Sequence, residues 1–324
     1  MSGRLLNYAS FLVTSLLKSL LQPRPDLVVT MTDPPMIGLI GWLASARYRC
    51  PHVVVCQDVF PDIAVALGKM RSPFAIAVWR KLNRRLRRRA ARVIVVGRDM
   101  RMKLQREGLP EDKLVYIPNW AAPQVVDKRA TAEVREHQRW SGRFVVMHAG
   151  NVGIAQNLMV VIEAAELLRG DPDILFVFMG DGAAKPRLEQ EVTRRRLDSV
   201  KFLPYQPKAQ AQAVMAAADM HLISLAPGLL GCATPSKTYG ILATGRPAVA
   251  AVEAGSEVAL TIEELGCGMR SEPEPQCLAE TIAKMKVSPL DEMGRRGGKG
   301  LEERFQRSRL TSRYIAVFEE IVAR

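Results

Sequence analysis

Short apolar runs alternate along this chain with longer segments in which apolar residues recur at helical spacing, the rhythm of parallel strands joined by helices. Leu27-Val28-Val29-Thr30 predicts a first buried strand, followed by a loop at Thr32-Asp33-Pro34-Pro35 and a helix near 37–48. Strands at 52–56, 92–96 and 114–117 come next, separated by helices near 63–68, 74–90 and 98–107. A polar stretch interrupts the rhythm, which then resumes with strands at 144–147, 174–178, 200–203, 220–224 and 248–252. Helices near 156–169, 184–196, 208–217, 256–264 and 275–286 accompany them, and a last helix is predicted over about 291–323. This alternation predicts an α/β fold of two Rossmann-like domains, with right-handed crossovers and a ligand in the cleft between them. The boundaries read as a first domain over 1–120, a linker over 121–142, a second domain over 143–290 and a terminal helix over 291–324.

Candidate chemistry gathers where predicted strands end. In Thr234-Pro235-Ser236-Lys237-Thr238-Tyr239-Gly240, Thr234 is the expected N-cap and Pro235 the first helical residue, with Gly245 and Pro247 marking the stop. First-turn N–H groups carry partial positive charge, and Lys237 adds a full one at the same end, an arrangement suited to phosphate. The strand at 144–147 runs into His148-Ala149-Gly150-Asn151-Val152-Gly153, where Gly150 and Gly153 allow close backbone approach at a helix N-terminus. A tight turn without a ligand explains those glycines equally well, and His148 reads as a core histidine with no assigned role. Gly180-Asp181-Gly182 closes the next strand in the same way, so several loops converge on one sheet edge. In the first domain, Asp58 and Asp62 follow a strand end. A carboxylate there suits a general base or an acceptor from a sugar hydroxyl, and Asp62 equally suits a helix start.

Composition narrows the partners. Lys+Arg number 46 against 33 Asp+Glu in 324 residues, for a net charge of +13. Residues 1–140 hold 24 of those bases and 11 of the acids, so the whole excess lies in the first part. Much of it falls in 79–92, where apolar positions 79, 82, 86, 90 and 93 predict a helix with one buried stripe and a basic exterior. Such a face suits anionic lipid or phosphorylated substrates; nucleic acid ranks lower, because no aromatic interleaving, zinc spacing or recognition motif accompanies the charge. Residues 5–21 are apolar but broken by Asn7, Ser10, Ser15 and Lys18, short of the ~20 apolar residues a span needs, and predict an amphipathic helix. Five cysteines without CxxC or Cys/His clustering indicate neither a disulfide framework nor a zinc site and point to a reducing, cytosolic compartment.

Read in order, these motifs make the chain similar to the GT-B glycosyltransferases of family 4, the type that builds colanic acid and O-antigen. The resemblance rests on Asp58-Val59-Phe60-Pro61, Gly150-Asn151-Val152-Gly153 with Gln156, Gly180-Asp181-Gly182, Phe202 to Pro207, Ala218 to Leu222, Pro235-Ser236-Lys237 and Gly245-Arg246-Pro247. It implies a retaining transfer from a nucleoside-diphosphate sugar to a lipid-linked or polysaccharide acceptor, with no metal or other cofactor required. It also implies a peripheral position on the inner face of the plasma membrane. Donor contacts are expected from Gly150, Asn151, Gly153, Gln156, Gly180, Asp181, Gly182, Tyr205, Gln206, Pro235, Ser236 and Tyr239, with Lys237 on the diphosphate. Asp58 stands where many relatives carry a catalytic histidine, Asp33 and Pro34 are expected on the acceptor side, and the terminal helix is expected to cross back to the first domain.

Two pairs of substitutions set the chain apart from that pattern. Cys232 and Gly240 occupy the positions of a glutamate pair, and Asn151 and Gln156 those of an Arg/Lys pair, which places more of the diphosphate contact on Lys237 and backbone N–H groups. Relatives also open with a strand and a Gly-rich loop, about 70 residues ahead of the position matching Met1, so the first sheet is expected to be incomplete, with an open edge. A silent nucleotide-binding fragment or half of a split enzyme, and a sugar-nucleotide epimerase of the same architecture, stand as alternatives.

Overall fold

Segments with no polar face become inner strands, and this chain supplies one set in each half. In a computed structural model, which describes residues 2–123 and 127–323, the first half forms α1 (Ser2–Leu20), β1 (Val28–Met31), α2 (Ile37–Tyr48) and β2 (His52–Cys56). It continues through α3 (Asp62–Ala66), α4 (Pro73–Arg89), β3 (Arg92–Val95), α5 (Arg98–Arg106) and β4 (Leu114–Tyr116). The strands lie parallel in the order β1-β2-β3-β4. Every residue of β2 is buried, whereas β1, paired only with β2 among the described residues, alternates and leaves Val29 and Met31 exposed.

The second half comprises α6 (Lys128–His137), β5 (Phe144–Ala149), α7 (Met159–Leu167), β6 (Ile174–Met179), α8 (Lys185–Arg195), β7 (Val200–Leu203), α9 (Lys208–Ala216) and β8 (Met220–Ser224). It is completed by α10 (Lys237–Ala243), β9 (Ala248–Ala251), α11 (Glu257–Leu265), β10 (Gly268–Ser271), α12 (Pro275–Lys286), α13 (Leu290–Arg304) and the start of α14 (Arg307–Val322). Its six parallel strands run β10-β9-β8-β5-β6-β7. Chain order reverses between β5 and β8, and this switch point opens a crevice at the C-terminal ends of both strands.

By contacts the chain divides into two units: Met1–Pro118 with Leu229–Thr234 and Leu310–Arg324, and Asn119–Gly228 with Pro235–Arg309. The predicted linker is corrected by this division. Residues 124–126 lie outside the described set, but Asp127 caps α6 by accepting from the N–H groups of Arg129 (2.8 Å) and Ala130 (3.3 Å), and Trp140 is buried in the second unit's core. Arg135 holds α6 in place by donating to the carbonyls of Ala217 (2.7 Å), Trp140 (3.1 Å) and Arg143 (2.6 Å), with Asp219 at 3.1 Å.

The single terminal helix is corrected as well. It breaks at Phe305, whose buried ring packs 5.0 Å from that of Tyr239, and Gln306 leaves the helix to form a backbone bridge with Ala121. Only the part from Leu310 joins the first unit, where Leu310 and Ile321 enter the core around Val53, Val55 and Ile94. The basic helix is α4, as its spacing predicts, with Leu86 and Ala90 buried and Arg84, Arg85, Arg88 and Arg89 exposed. Arg87 departs from the basic exterior: it is buried and pairs with Glu107 at 3.0 Å. No described helix is long and apolar enough to cross a membrane.

Candidate functional site

The second unit's crevice is built by two loops zipped together. Past β5, the N–H of Gly150 donates to Met179 (2.9 Å) and that of Val152 to Asp181 (2.8 Å), while Ala184 returns a bond to Val152 (3.0 Å). Gly180 has φ +137, and a Cβ on it would lie 2.0 Å from the Gly150 carbonyl oxygen, so only glycine permits the approach. The 180–182 glycines therefore have a structural task. Their missing side chains make room for the neighbouring loop, and a Cβ on Gly182 would likewise meet the Val152 carbonyl at 2.4 Å. Asp181 accepts from its neighbour, the Gly182 N–H, at 2.8 Å.

The helix expected from 156 begins only at Met159. A 3-10 turn at Ile154–Gln156 and a left-handed Asn157 intervene, so Gly150 and Gly153 do not sit at the N-terminus of α7. Asn151 and Gln156 close over Gly153, and the buried Gln156 Oε1 has no hydrogen-bond partner. Buried polar atoms are nearly always paired, so an unpaired one at a crevice marks a place where a ligand or water completes the set. The Ser224 hydroxyl, at the end of β8 across the switch point, and His148 Nδ1 are orphaned in the same way.

Lys237 lies at the centre of this arrangement. Its Nζ is 3.2 Å from His148 Nε2, and a Cβ on Gly150 would stand 4.0 Å from its Cε and Nζ. Among the described residues no carboxylate pairs with it, and burial pulls its ammonium down to about 7 from an ordinary 10.5. Burial and then the Lys237 charge hold His148 well below the usual imidazole range, so the ring is neutral. One neutral nitrogen can accept from Lys237 or donate to the Asn151 carbonyl at 3.3 Å, but not both, and beside an ammonium it accepts. His148 is thus the site residue that the sequence reading passed over. Its signal was position: a polar ring at the C-terminal end of the strand beside the switch point.

The helix carrying Lys237 differs from the expected one. It begins at Lys237, Ser236 precedes it without a side-chain cap, and Thr234 is no N-cap; its buried hydroxyl has no partner. Pro235 is half-buried and Ser236 exposed, both beside the crevice in sequence. Tyr239 is 1% exposed and its ring packs on Phe305, so the side chain belongs to the core. Tyr205, 78% exposed, and Gln206, donating to the Pro204 carbonyl at 3.2 Å, follow the outermost strand β7 on the same sheet edge.

In the first unit, Asp58 lines a small open pocket together with Thr32, Met36, Val54, Asn83 and Arg87. Thr32 Oγ1 fixes the turn by accepting from the N–H groups of Gln57 (3.0 Å) and Asp58 (2.9 Å). Burial, then the neighbouring Asp33 charge, raises the Asp58 carboxyl to about 6. Asp33 is exposed, Pro34 half-buried, and Pro35 rather than Pro34 reaches the pocket wall. Asp62 is committed to structure: its Oδ1 receives Arg80 Nη2 at 2.7 Å and lies 3.6 Å from Lys103 Nζ.

Comparison with solved structures defines the fold. The structure of Anabaena Alr3699/HepE in complex with UDP-glucose is similar with TM-score 0.77 at 19% identity, covering 95% of this chain and 82% of that one. Sucrose-phosphate synthase from Thermosynechococcus elongatus follows with TM-score 0.72 at 16% identity, over 92% and 74% of the two chains. The architecture is the GT-B fold, an α/β arrangement with two Rossmann-like domains. Residues 3–120 match the glycosyl transferase 4-like domain and residues 130–295 the glycosyl transferases group 1 family; the chain belongs to that family and is a glycosyltransferase. Among curated relatives, the Pseudomonas aeruginosa protein named as the glycosyltransferase WbjE is 28% identical over 275 residues, 84% of this chain and 68% of its own length. The Escherichia coli K12 protein named for colanic acid biosynthesis, WcaI, is 29% identical over 285 residues, 84% of this chain and 69% of its length.

Proposed function

We propose that the protein moves a hexose-type sugar from a nucleoside-diphosphate sugar, with retention at the anomeric carbon and no metal requirement, onto a lipid-linked acceptor in cell-surface polysaccharide biosynthesis. The observation that carries this is Lys237: a cation enclosed at the switch point, held by a neutral His148 and lacking any carboxylate among the described residues. Such a group is poorly solvated and uncompensated until an anion arrives. When the sugar–diphosphate bond breaks, negative charge grows on the leaving diphosphate, and a cation already fixed nearby stabilises that charge without reorganising. Nucleotide complexes of the similar HepE, solved with UDP and with UDP-glucose, support the choice of donor.

Asp58 supplies the acceptor-side carboxylate in this reading. With its carboxyl raised to about 6, it is ionised near neutrality yet basic enough to take a proton from a sugar hydroxyl. The exposed arginines of α4 and the exposed Leu6, Phe11, Val13 and Leu17 of α1 favour a lipid surface, at about 1 kcal/mol per basic residue near anionic headgroups. Both helices pack on α2 in the first unit.

The test is transfer by the full chain from a panel of UDP-, GDP-, ADP- and dTDP-sugars to a lipid-linked acceptor, in wild type and Lys237→Ala. Turnover with one donor and its loss in the variant, with folding retained, is the expected outcome; wild-type rates in Lys237→Ala overturn the part given to Lys237. Donor isomerisation without acceptor would instead identify an epimerase.

A further inference from the structure

Between β8 and α10 the chain leaves the second unit at Gly228, passes through the first unit as Leu229–Thr234, and rejoins the second at Pro235, directly ahead of Ser236 and Lys237. Much of that passage is held by the first unit. Leu229 is fully buried and Cys232 nearly so. The Cys232 N–H donates to the Leu229 carbonyl at 2.9 Å, closing a tight turn, and its carbonyl accepts from the Val59 N–H at 2.8 Å. Ala233 forms an antiparallel bridge with Asp58, the residue lining the first unit's pocket. Gly231 has φ +71, and a Cβ on it would lie 2.9 Å from the Asp99 carbonyl oxygen and 3.0 Å from Lys103 Cβ.

One buried side chain fastens the turn. Asp99, 4% exposed in the first turn of α5, uses Oδ1 to accept from the Met100 N–H at 2.8 Å and Oδ2 to accept from the Gly231 N–H at 3.0 Å. Both carboxylate oxygens are therefore assigned, the first to its own helix and the second to the passing chain. A helix-capping part alone would need only the first bond; the second is made across a long sequence separation to a backbone that only glycine can supply here.

We propose that Leu229–Thr234 is a strap by which the first unit sets the backbone leading into the Pro235-Ser236-Lys237 loop, and that Asp99 is its positioning residue. The inference rests on the reading of Lys237 as the diphosphate contact. Asp99 touches no reacting atom in this scheme; it fixes Gly231, and the strap carries that constraint along the chain to Lys237. The bridge at Asp58 and Ala233 ties the first unit's pocket to the same strap.

The test compares the full-length wild type with Asp99→Asn and Gly231→Ala. Asparagine keeps the shape but offers a single carbonyl oxygen, so one of the two N–H groups loses its acceptor. Leu310→Ala, a core truncation in the first unit away from the strap, controls for destabilisation alone. Two readouts are taken: the dissociation constant for UDP, and amide hydrogen exchange at Thr238 and Tyr239, whose N–H groups close the first turn beyond the strap. The expected result is UDP binding weakened about fivefold or more in both strap variants, with faster exchange at 238–239, and neither change in Leu310→Ala. Unchanged exchange and binding in the strap variants, or changes matched by Leu310→Ala, overturn the proposal. A wild type that does not bind UDP or another nucleoside diphosphate, but whose Asp99→Asn variant exchanges faster at 238–239, defeats the donor reading while the strap stands.

Discussion

Each unit presents one ionisable group near the C-terminal end of a parallel sheet, and burial drives the two in opposite directions. In the first unit the Asp58 carboxyl rises to about 6, crowded further by Asp33; in the second the Lys237 ammonium falls to about 7 with no neighbouring carboxylate. Both shifts favour the neutral form, which is the general cost of placing a charge in a low-dielectric setting. The difference lies in what would relieve each. Lys237 gains by meeting an anion, whereas Asp58 gains by accepting a proton. A pair of sites with those complementary needs fits a reaction in which an anionic group leaves and a hydroxyl loses its proton.

The largest effect expected from breaking this comparison comes at Lys237. Lys237→Ala should lower turnover by about 10²–10³-fold, as for removal of one preorganised charge-stabilising donor, while the thermal midpoint stays near that of wild type. Initial rates at saturating donor, beside a melting curve, check this.

Next is the structural contrast between two arginines, Arg135 half-buried in the second unit and Arg87 buried in the first. Arg135 feeds three carbonyls and Asp219 in the second unit, whereas Arg87 is described with Glu107 alone in the first. Arg135→Met should cost about 1–3 kcal/mol by leaving those half-buried acceptors without their donor, and denaturant unfolding measures it.

The pH dependence sharpens the comparison of the two sites. In the proposed reaction Asp58 acts as a base only when ionised, so kcat/KM should fall as pH drops below about 6; Lys237, proposed as the diphosphate contact, acts only when charged, so it should fall again as pH rises above about 7. Asp58→Asn should remove the acid limb while preserving the alkaline one. A carboxyl raised in the fold binds more protons there than in the unfolded chain, so its contribution to stability weakens between its ordinary value of 3.8 and about 6. A lysine lowered in the fold binds fewer, so stability from this group increases between about 7 and 10.5. The smallest effect is expected at the exposed Arg129–Glu133 pair, where Arg129→Ala should change stability by less than about 0.5 kcal/mol.

Much of the architecture was legible because it depends on local rhythm. Apolar runs such as Val53-Val54-Val55 and Phe176-Val177-Phe178 have no polar face to show to water, and they became buried strands where the pattern placed them. The terminal helix was misread because its amphipathic spacing continues through 305. What breaks it is the burial of Phe305 against Tyr239, a residue far away in sequence. The same contact places the Tyr239 side chain in the core. Among site residues, Lys237 announced itself by its place after Pro235-Ser236, whereas His148 looked like one more strand residue until its ring was found beside Lys237 Nζ.

By itself, then, the sequence determined the strands and helices, the excess of basic charge in the first half, and the ordered motifs that mark the glycosyltransferase family. Those properties depend on residues close together in the chain. Tertiary structure alone decided that Leu229–Thr234 belongs to the first unit, that Gly180 serves the neighbouring loop, and that Asp99 holds Gly231. It also decided that Lys237 stands with His148 and without a carboxylate partner among the described residues. Each of these depends on approach between distant segments, and burial acts on a group only once such an approach has enclosed it.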